Sequence, residues 1–112
     1  KKMGSVQRIA SVINLDPEGI EEYEQLHAAV WPAVLAKISE CNIKNYSIYR
    51  YGVLLFSYFE YVGEDMDGDM ELMGQDPNTQ DWWAVCKPLQ RPVAEILEDE
   101  WWHTLPEVFH HD

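Results

Sequence analysis

Gly52 divides two runs, residues 45–51 and 53–61, that are dominated by β-branched and aromatic side chains. A glycine flanked by two such runs predicts a tight β-hairpin near the middle of the chain. That hairpin constrains the fold more than any other feature, because of what lies on each side of it. Residues 6–14 alternate Ile9, Ser11 and Ile13 with Arg8, Ala10 and Val12, the period-two pattern of a strand. Asp16-Pro17 stops that strand and suits a helix start: Asp16 serves as the N-cap, Pro17 fits the first turn, and Glu18, Glu21 and Glu22 favour the positive end of the dipole. Ile20, Tyr23, His27 and Val30 then recur at spacings of three and four, placing them on one helical face. Pro32 interrupts this helix just after Trp31, and a second stretch carries Val34, Leu35 and Ile38.

After the hairpin, residues 64–75 place Met66, Met70 and Met73 at helical spacing, and Asp76-Pro77 breaks the pattern. Residues 78–90 form a further helical stretch with Trp82, Trp83, Val85, Cys86 and Leu89, weakened at its end by Pro88 and Pro92. Residues 101–110 read as a last strand interrupted by Pro106, which favours an edge or a bulge. The order β, α(α), β, β, α(α), β is the split βαβ, ferredoxin-like arrangement: an α+β fold with one antiparallel sheet and helices on one face. The absence of internal repeats and linkers predicts one domain over residues 1–112, with 1–5 a tag remnant or disordered. Such a sheet leaves its other face bare, and with five tryptophans in 112 residues that face calls for a second subunit or a ligand.

Charge narrows the function. Eight basic against twenty acidic side chains give a net charge of −12. This disfavours nucleic acid and anionic membrane surfaces, whose binding rests on Lys and Arg. Cys41 and Cys86 cannot make a disulfide framework, and no apolar run approaches the ~20 residues of a spanning helix, so the expected setting is the cytoplasm. The acidic stretch from Asp65 to Glu71 resembles the start of a calcium loop but puts Gly68 fourth instead of sixth, and Asp76 rather than Glu at position twelve. His103, His110 and His111 lack the convergent spacing of a metal site, and two adjacent histidines in a strand would point to opposite faces.

His27 stands apart, with Tyr23 one turn before it and Trp31 one turn after. Imidazole is the side chain suited to moving protons near neutrality. Trp82 and Trp83, adjacent on a helix, cannot share a face, so one packs inward while the other lines a cavity rim. Aromatic walls with a few hydroxyl groups suit a sugar, whose C–H faces stack on rings while its hydroxyls find polar partners. Alternation places Tyr46 on one face of its strand and Tyr49 and Tyr51 on the other.

Taken in order, Glu22-Tyr23, the segment from His27 through Trp31-Pro32, the run Asn45-Tyr46-Ser47-Ile48-Tyr49, Asp81-Trp82-Trp83 and Glu107-Val108-Phe109 resemble the L-rhamnose mutarotase family over residues 6–109. The resemblance implies a dimeric α+β barrel assembly and interconversion of the α and β anomers of a pyranose with no metal or organic cofactor. It implies that His27 is the proton-donating histidine and that Tyr23, Tyr46, Trp82 and Trp83 bind the sugar. Ala28, Ala29 and Ala33 stand where the family often carries polar residues, so the sugar stays open between L-rhamnose and L-fucose. A cofactor-free monooxygenase-like or small-molecule-binding dimeric α+β barrel shares the topology and is the competing class.

Overall fold

The computed structural model describes residues 6–112, so the reading of 1–5 as a tag remnant or disordered segment lies outside the described residues. Strand β1 (Gln7–Leu15) runs into a 3-10 turn, Pro17–Gly19, where the Asp16 carboxylate accepts a hydrogen bond from the Glu18 amide. Helix α1 (Ile20–Ala28) follows. The Asp16-Pro17 signal is therefore used, but by a short tight turn that precedes the helix. Val30, expected on the helical face, lies past the end of α1, because Pro32 opens a separate helix, α2 (Pro32–Glu40).

The hairpin consists of β2 (Ile43–Tyr51) and β3 (Leu54–Tyr61), with Gly52 at φ +61° in the turn, a conformation that glycine adopts without strain. Helices α3 (Met66–Gln75) and α4 (Pro77–Cys86) come next, divided where the sequence places Asp76-Pro77. Asp76 caps α4: its carboxylate accepts from both the backbone amide and the hydroxyl of Thr79, each at 2.9 Å. The helical stretch expected over 78–90 stops at Cys86. Lys87–Leu89 form a 3-10 turn and Gln90–Arg91 the short strand β4, as a proline at 88 dictates. The strand expected over 101–110 is only β5, His103–Leu105; Pro106 ends it and the remaining tail is irregular.

The sheet has five strands in the order β2-β3-β1-β4, with β5 also pairing β1. All pairings are antiparallel. This is the expected ferredoxin-like order, with one elaboration. The last strand position is shared by two pieces: β4 pairs Asn14 and Leu15, β5 pairs Ala10 to Val12, and residues 92–102 make an excursion between them.

Ile13, Leu15 and Leu55 on the inner face pack against Tyr23, Val34, Trp82 and Cys86 from the helices. That core fills one half of the sheet. Over the other half the directly paired Ser11 and Ser57 are too small to reach the helices, and an open cavity remains. The outer face carries Val12, Phe56, Tyr49 and Tyr51, and the two tyrosines are 62% and 77% exposed.

One irregularity determines what enters the cavity. Between Lys44 and Ser47 the β2–β3 register slips by one residue, and Asn45 takes φ +52°. Strict alternation would send Ile43 and Tyr46 to opposite faces, yet Ile43, Tyr46 and Ile48 all face the cavity. Asparagine tolerates the left-handed conformation better than most residues, and its side-chain amide donates to Glu60 at 2.7 Å, holding the bulge in place.

Candidate functional site

The cavity measures about 440 Å³, within the ~300–1,000 Å³ range of small-molecule sites. Its floor is the serine pair, whose Oγ atoms lie 2.6 Å apart across β1 and β3. Its walls include Tyr23 and His27 from α1, Tyr46 from β2 and Trp83 from α4. Trp101, Trp102 and Thr104 close a further side. Lys87 sits at the edge, its ammonium 5.4 Å from the Trp83 ring and 5.7 Å from the Trp101 ring, both cation–π distances.

His27 is held on three sides. Its Nδ1 lies 2.9 Å from the Tyr23 carbonyl oxygen, which can only accept, so Nδ1 carries a proton and donates it. The ring stacks on Tyr23 at 4.1 Å between centroids and meets the edge of Trp82 at 5.2 Å. Burial pushes the imidazole below its ordinary value of 6.5, only partly opposed by the bond to the carbonyl. At neutral pH the ring is therefore uncharged with Nε2 as a free lone pair. Among the described residues no group hydrogen-bonds Nε2, and the atom is not sealed from solvent.

The two tyrosines differ. Tyr23 is 3% exposed, and burial raises its hydroxyl far above the usual phenol range. That hydroxyl accepts a hydrogen bond from the Gln90 amide at 3.1 Å, and Gln90 in turn accepts from the Trp101 indole at 2.7 Å. Tyr46 is 43% exposed along its flank and leans on Phe59 at 5.5 Å, while its hydroxyl sits deep enough that desolvation raises it too. Both phenols thus stay protonated across the neutral range. Cys86 also lines the cavity, but burial lifts its thiol to about 11, so no reactive thiolate is present near pH 7.

The structure gathers His27, Tyr23, Tyr46 and Trp83 around the cavity. Trp82 is not a wall. It is 7% exposed and packed in the core between His27 and Trp31, as helical geometry requires once its neighbour faces the cavity. Reading the sequence missed Gln90, Trp101 and the serine pair. Only the cross-strand register could have flagged Ser11 and Ser57, and nothing local distinguishes Gln90. The far histidines are elsewhere: His103 bonds Glu100 at 2.9 Å and His110 bonds Asp112 at 2.8 Å. Among the described residues no group of three or more His, Cys, Asp or Glu is placed to hold a metal ion, and no helix is long and apolar enough to cross a membrane.

With one uncharged imidazole among neutral hydroxyls and indoles, and the Lys87 ammonium at its edge, the cavity of this ferredoxin-like α+β protein is a candidate site for a small molecule. A family profile described as L-rhamnose mutarotase matches residues 8–111. An L-rhamnose mutarotase from Phocaeicola vulgatus is 34% identical over 111 residues, covering 96% of this chain and all of the relative. An L-fucose mutarotase from Xanthomonas campestris is 30% identical over 94% of this chain and 88% of its own length. Among solved structures, L-rhamnose mutarotase FA22100 from Formosa agariphila superposes with a TM-score of 0.69 at 20% identity, over 95% of this chain and 99% of that one, a likeness of fold. The chain belongs to the L-rhamnose mutarotase family, and so to enzymes of the isomerase kind.

Proposed function

We propose that this chain is a single-domain, cytoplasmic aldose 1-epimerase that interconverts the α and β anomers of a 6-deoxy sugar, L-rhamnose first, with His27 as its proton-transfer residue. The observation that carries this reading is the uncharged, tautomer-fixed His27, its Nε2 without a hydrogen-bond partner among the described residues, in the wall of a cavity of hydroxyl groups and indoles. Nε2 takes the proton of the anomeric hydroxyl as the bond between C1 and the ring oxygen breaks. The same nitrogen, now protonated, delivers that proton to the ring oxygen, which sits on the same carbon in the closed sugar. An open aldehyde and the starting imidazole result, with no proton gained or lost. Rotation about C1–C2 and the reverse sequence on the other carbonyl face give the second anomer. During the transfer the imidazolium is stabilised by its bond to the Tyr23 carbonyl.

Tyr23 and Tyr46 supply hydroxyl contacts, and the Trp83 indole stacks on the apolar edge near the sugar's methyl group. Trp82 serves by bracing His27. The chemistry asks little of the site, since mutarotation also runs unaided in water and one positioned acid–base group contributes roughly 10²–10⁴-fold. The bare outer sheet face, with Tyr49, Tyr51 and Phe56 exposed, supports a homodimer closed through that face.

Exchange NMR of L-rhamnose tests the reading: enzyme added in catalytic amount should speed magnetisation transfer between the two anomeric protons. Because a 30% identical relative is an L-fucose mutarotase, L-fucose is the parallel substrate, and the faster sugar is the assignment. No acceleration for either sugar would remove the reading.

A further inference from the structure

The hydrogen bonds behind Tyr23 have a direction that follows from chemistry alone. The Trp101 indole nitrogen can only donate, so the atom of Gln90 that meets it at 2.7 Å must be the amide oxygen. With its oxygen committed to Trp101, Gln90 presents NH₂ to Tyr23, 3.1 Å away. The Tyr23 oxygen must therefore accept, and its own proton turns elsewhere. Among the described residues no acceptor takes that proton, and Tyr23 lines the cavity.

We propose that Trp101, acting through Gln90, fixes Tyr23 as a hydrogen-bond donor to the sugar's ring oxygen, making Gln90 and Trp101 positioning residues for the reaction. The inference rests on the mutarotase reading above. In a pyranose every hydroxyl can either donate or accept, but the ring oxygen can only accept, so its partner has to be a donor, which a phenol committed to donating supplies. The ring oxygen is also the atom on which negative charge gathers as its bond to C1 breaks. A donor already aimed there strengthens in the transition state and needs no reorganisation. Gln90 is 6% exposed, so water does not compete for either end of its amide.

Two substitutions separate polarity from packing. In Gln90→Glu the introduced carboxylate offers only acceptors, so it takes bonds from both Trp101 and Tyr23 and withdraws the Tyr23 proton from the cavity. In Gln90→Met the proton stays free. We expect Gln90→Glu to lower kcat for anomeric exchange by roughly tenfold or more at neutral pH with little change in KM, and Gln90→Met by only about threefold. Trp101→Phe, which lets the Gln90 amide flip, should fall between them.

As pH drops, the introduced carboxyl gains a proton and with it a donor for Tyr23. Activity of Gln90→Glu should then recover, while Gln90→Met shows no recovery. Equal or greater damage in Gln90→Met, or no recovery in Gln90→Glu, would overturn the proposal. A readout independent of turnover is the Cζ signal of Tyr23 in sugar-free, ¹³C-tyrosine-labelled protein. In Gln90→Glu it should shift over the pH range in which activity returns, and a signal that does not move overturns the hydrogen-bond chain. Failure of the wild-type chain to speed exchange at all would instead count against the mutarotase reading.

Discussion

Replacing His27 by glutamine keeps a polar atom close to the Nε2 position but removes the basic lone pair. If the imidazole moves the proton, exchange should fall by roughly 10²–10⁴-fold, the range for one positioned acid–base group. Stability should fall far less. The ring makes two aromatic contacts, with Tyr23 at 4.1 Å and Trp82 at 5.2 Å. At about 0.5–1.5 kcal/mol each, and with part of the volume refilled, the loss is on the order of 1–2 kcal/mol. For a domain of this size that lowers Tm by roughly 4–8 °C. A companion His27→Asn, which can still donate to the Tyr23 carbonyl, controls for the local helix. The assay is saturation transfer between the anomeric protons of L-rhamnose at 25 °C, with Tm read by circular dichroism on the same samples. Exchange within about threefold of wild type in either folded variant would mean that His27 carries no proton in the reaction, since even the low end of the acid–base range is larger.

The acid limb of the pH–rate profile should lie below 6.5, because burial lowers His27 and the active uncharged form persists as pH falls to its depressed pKa. The stability that this histidine contributes by staying neutral is lost over the same descent, since below 6.5 the unfolded chain binds a proton that the folded one resists. Trp83→Ala should raise KM and cost less stability than the neighbouring core deletion, since its indole is only partly buried against the core. Trp82→Ala should cost about 3–5 kcal/mol of stability as a core deletion, and urea titration distinguishes the two. Glu100 is held down to about 2 from 4.5 by the Leu97 amide, His103 and the Thr104 amide, so the stability it contributes is present above 4.5 and disappears as pH falls toward 2. Glu100→Gln should remove that part of the acid sensitivity, as seen in Tm measured from pH 5 to pH 2.

Much of the fold was legible because its punctuation is local. Gly52, Asp16-Pro17 and Asp76-Pro77 act on the backbone beside them, and each marks a real boundary. The long last strand was misread because residues 101–110 have strand-like composition, but Pro106 cannot donate to the ladder and the pairing with β1 ends at Leu105. The bulge at Asn45 escaped notice for a similar reason: a register slip exists only relative to the partner strand. At the site, spacing put Tyr23 and His27 on one helical face and sent one of Trp82 and Trp83 inward without deciding which, while the roles of Tyr23, Tyr46 and the two tryptophans came from the family resemblance. Gln90, Trp101 and the serine pair join the site through contacts 11, 46 and 67 residues apart, which no periodicity reports.

The double occupancy of one side of β1 has an evolutionary consequence. Because β4 and β5 each hold only a short length of that strand, the excursion over residues 92–102 is anchored at both ends while its interior is free to vary. That excursion brings Trp101 and Trp102 to the cavity. Insertions or exchanges within residues 92–100 could reshape one wall for a different sugar stereochemistry without disturbing His27, the helices or the hairpin, provided that Trp101 keeps its bond to Gln90. The chain thereby separates the part that sets the reaction, Trp101 included, from a short part that descendants can rewrite to change what reacts.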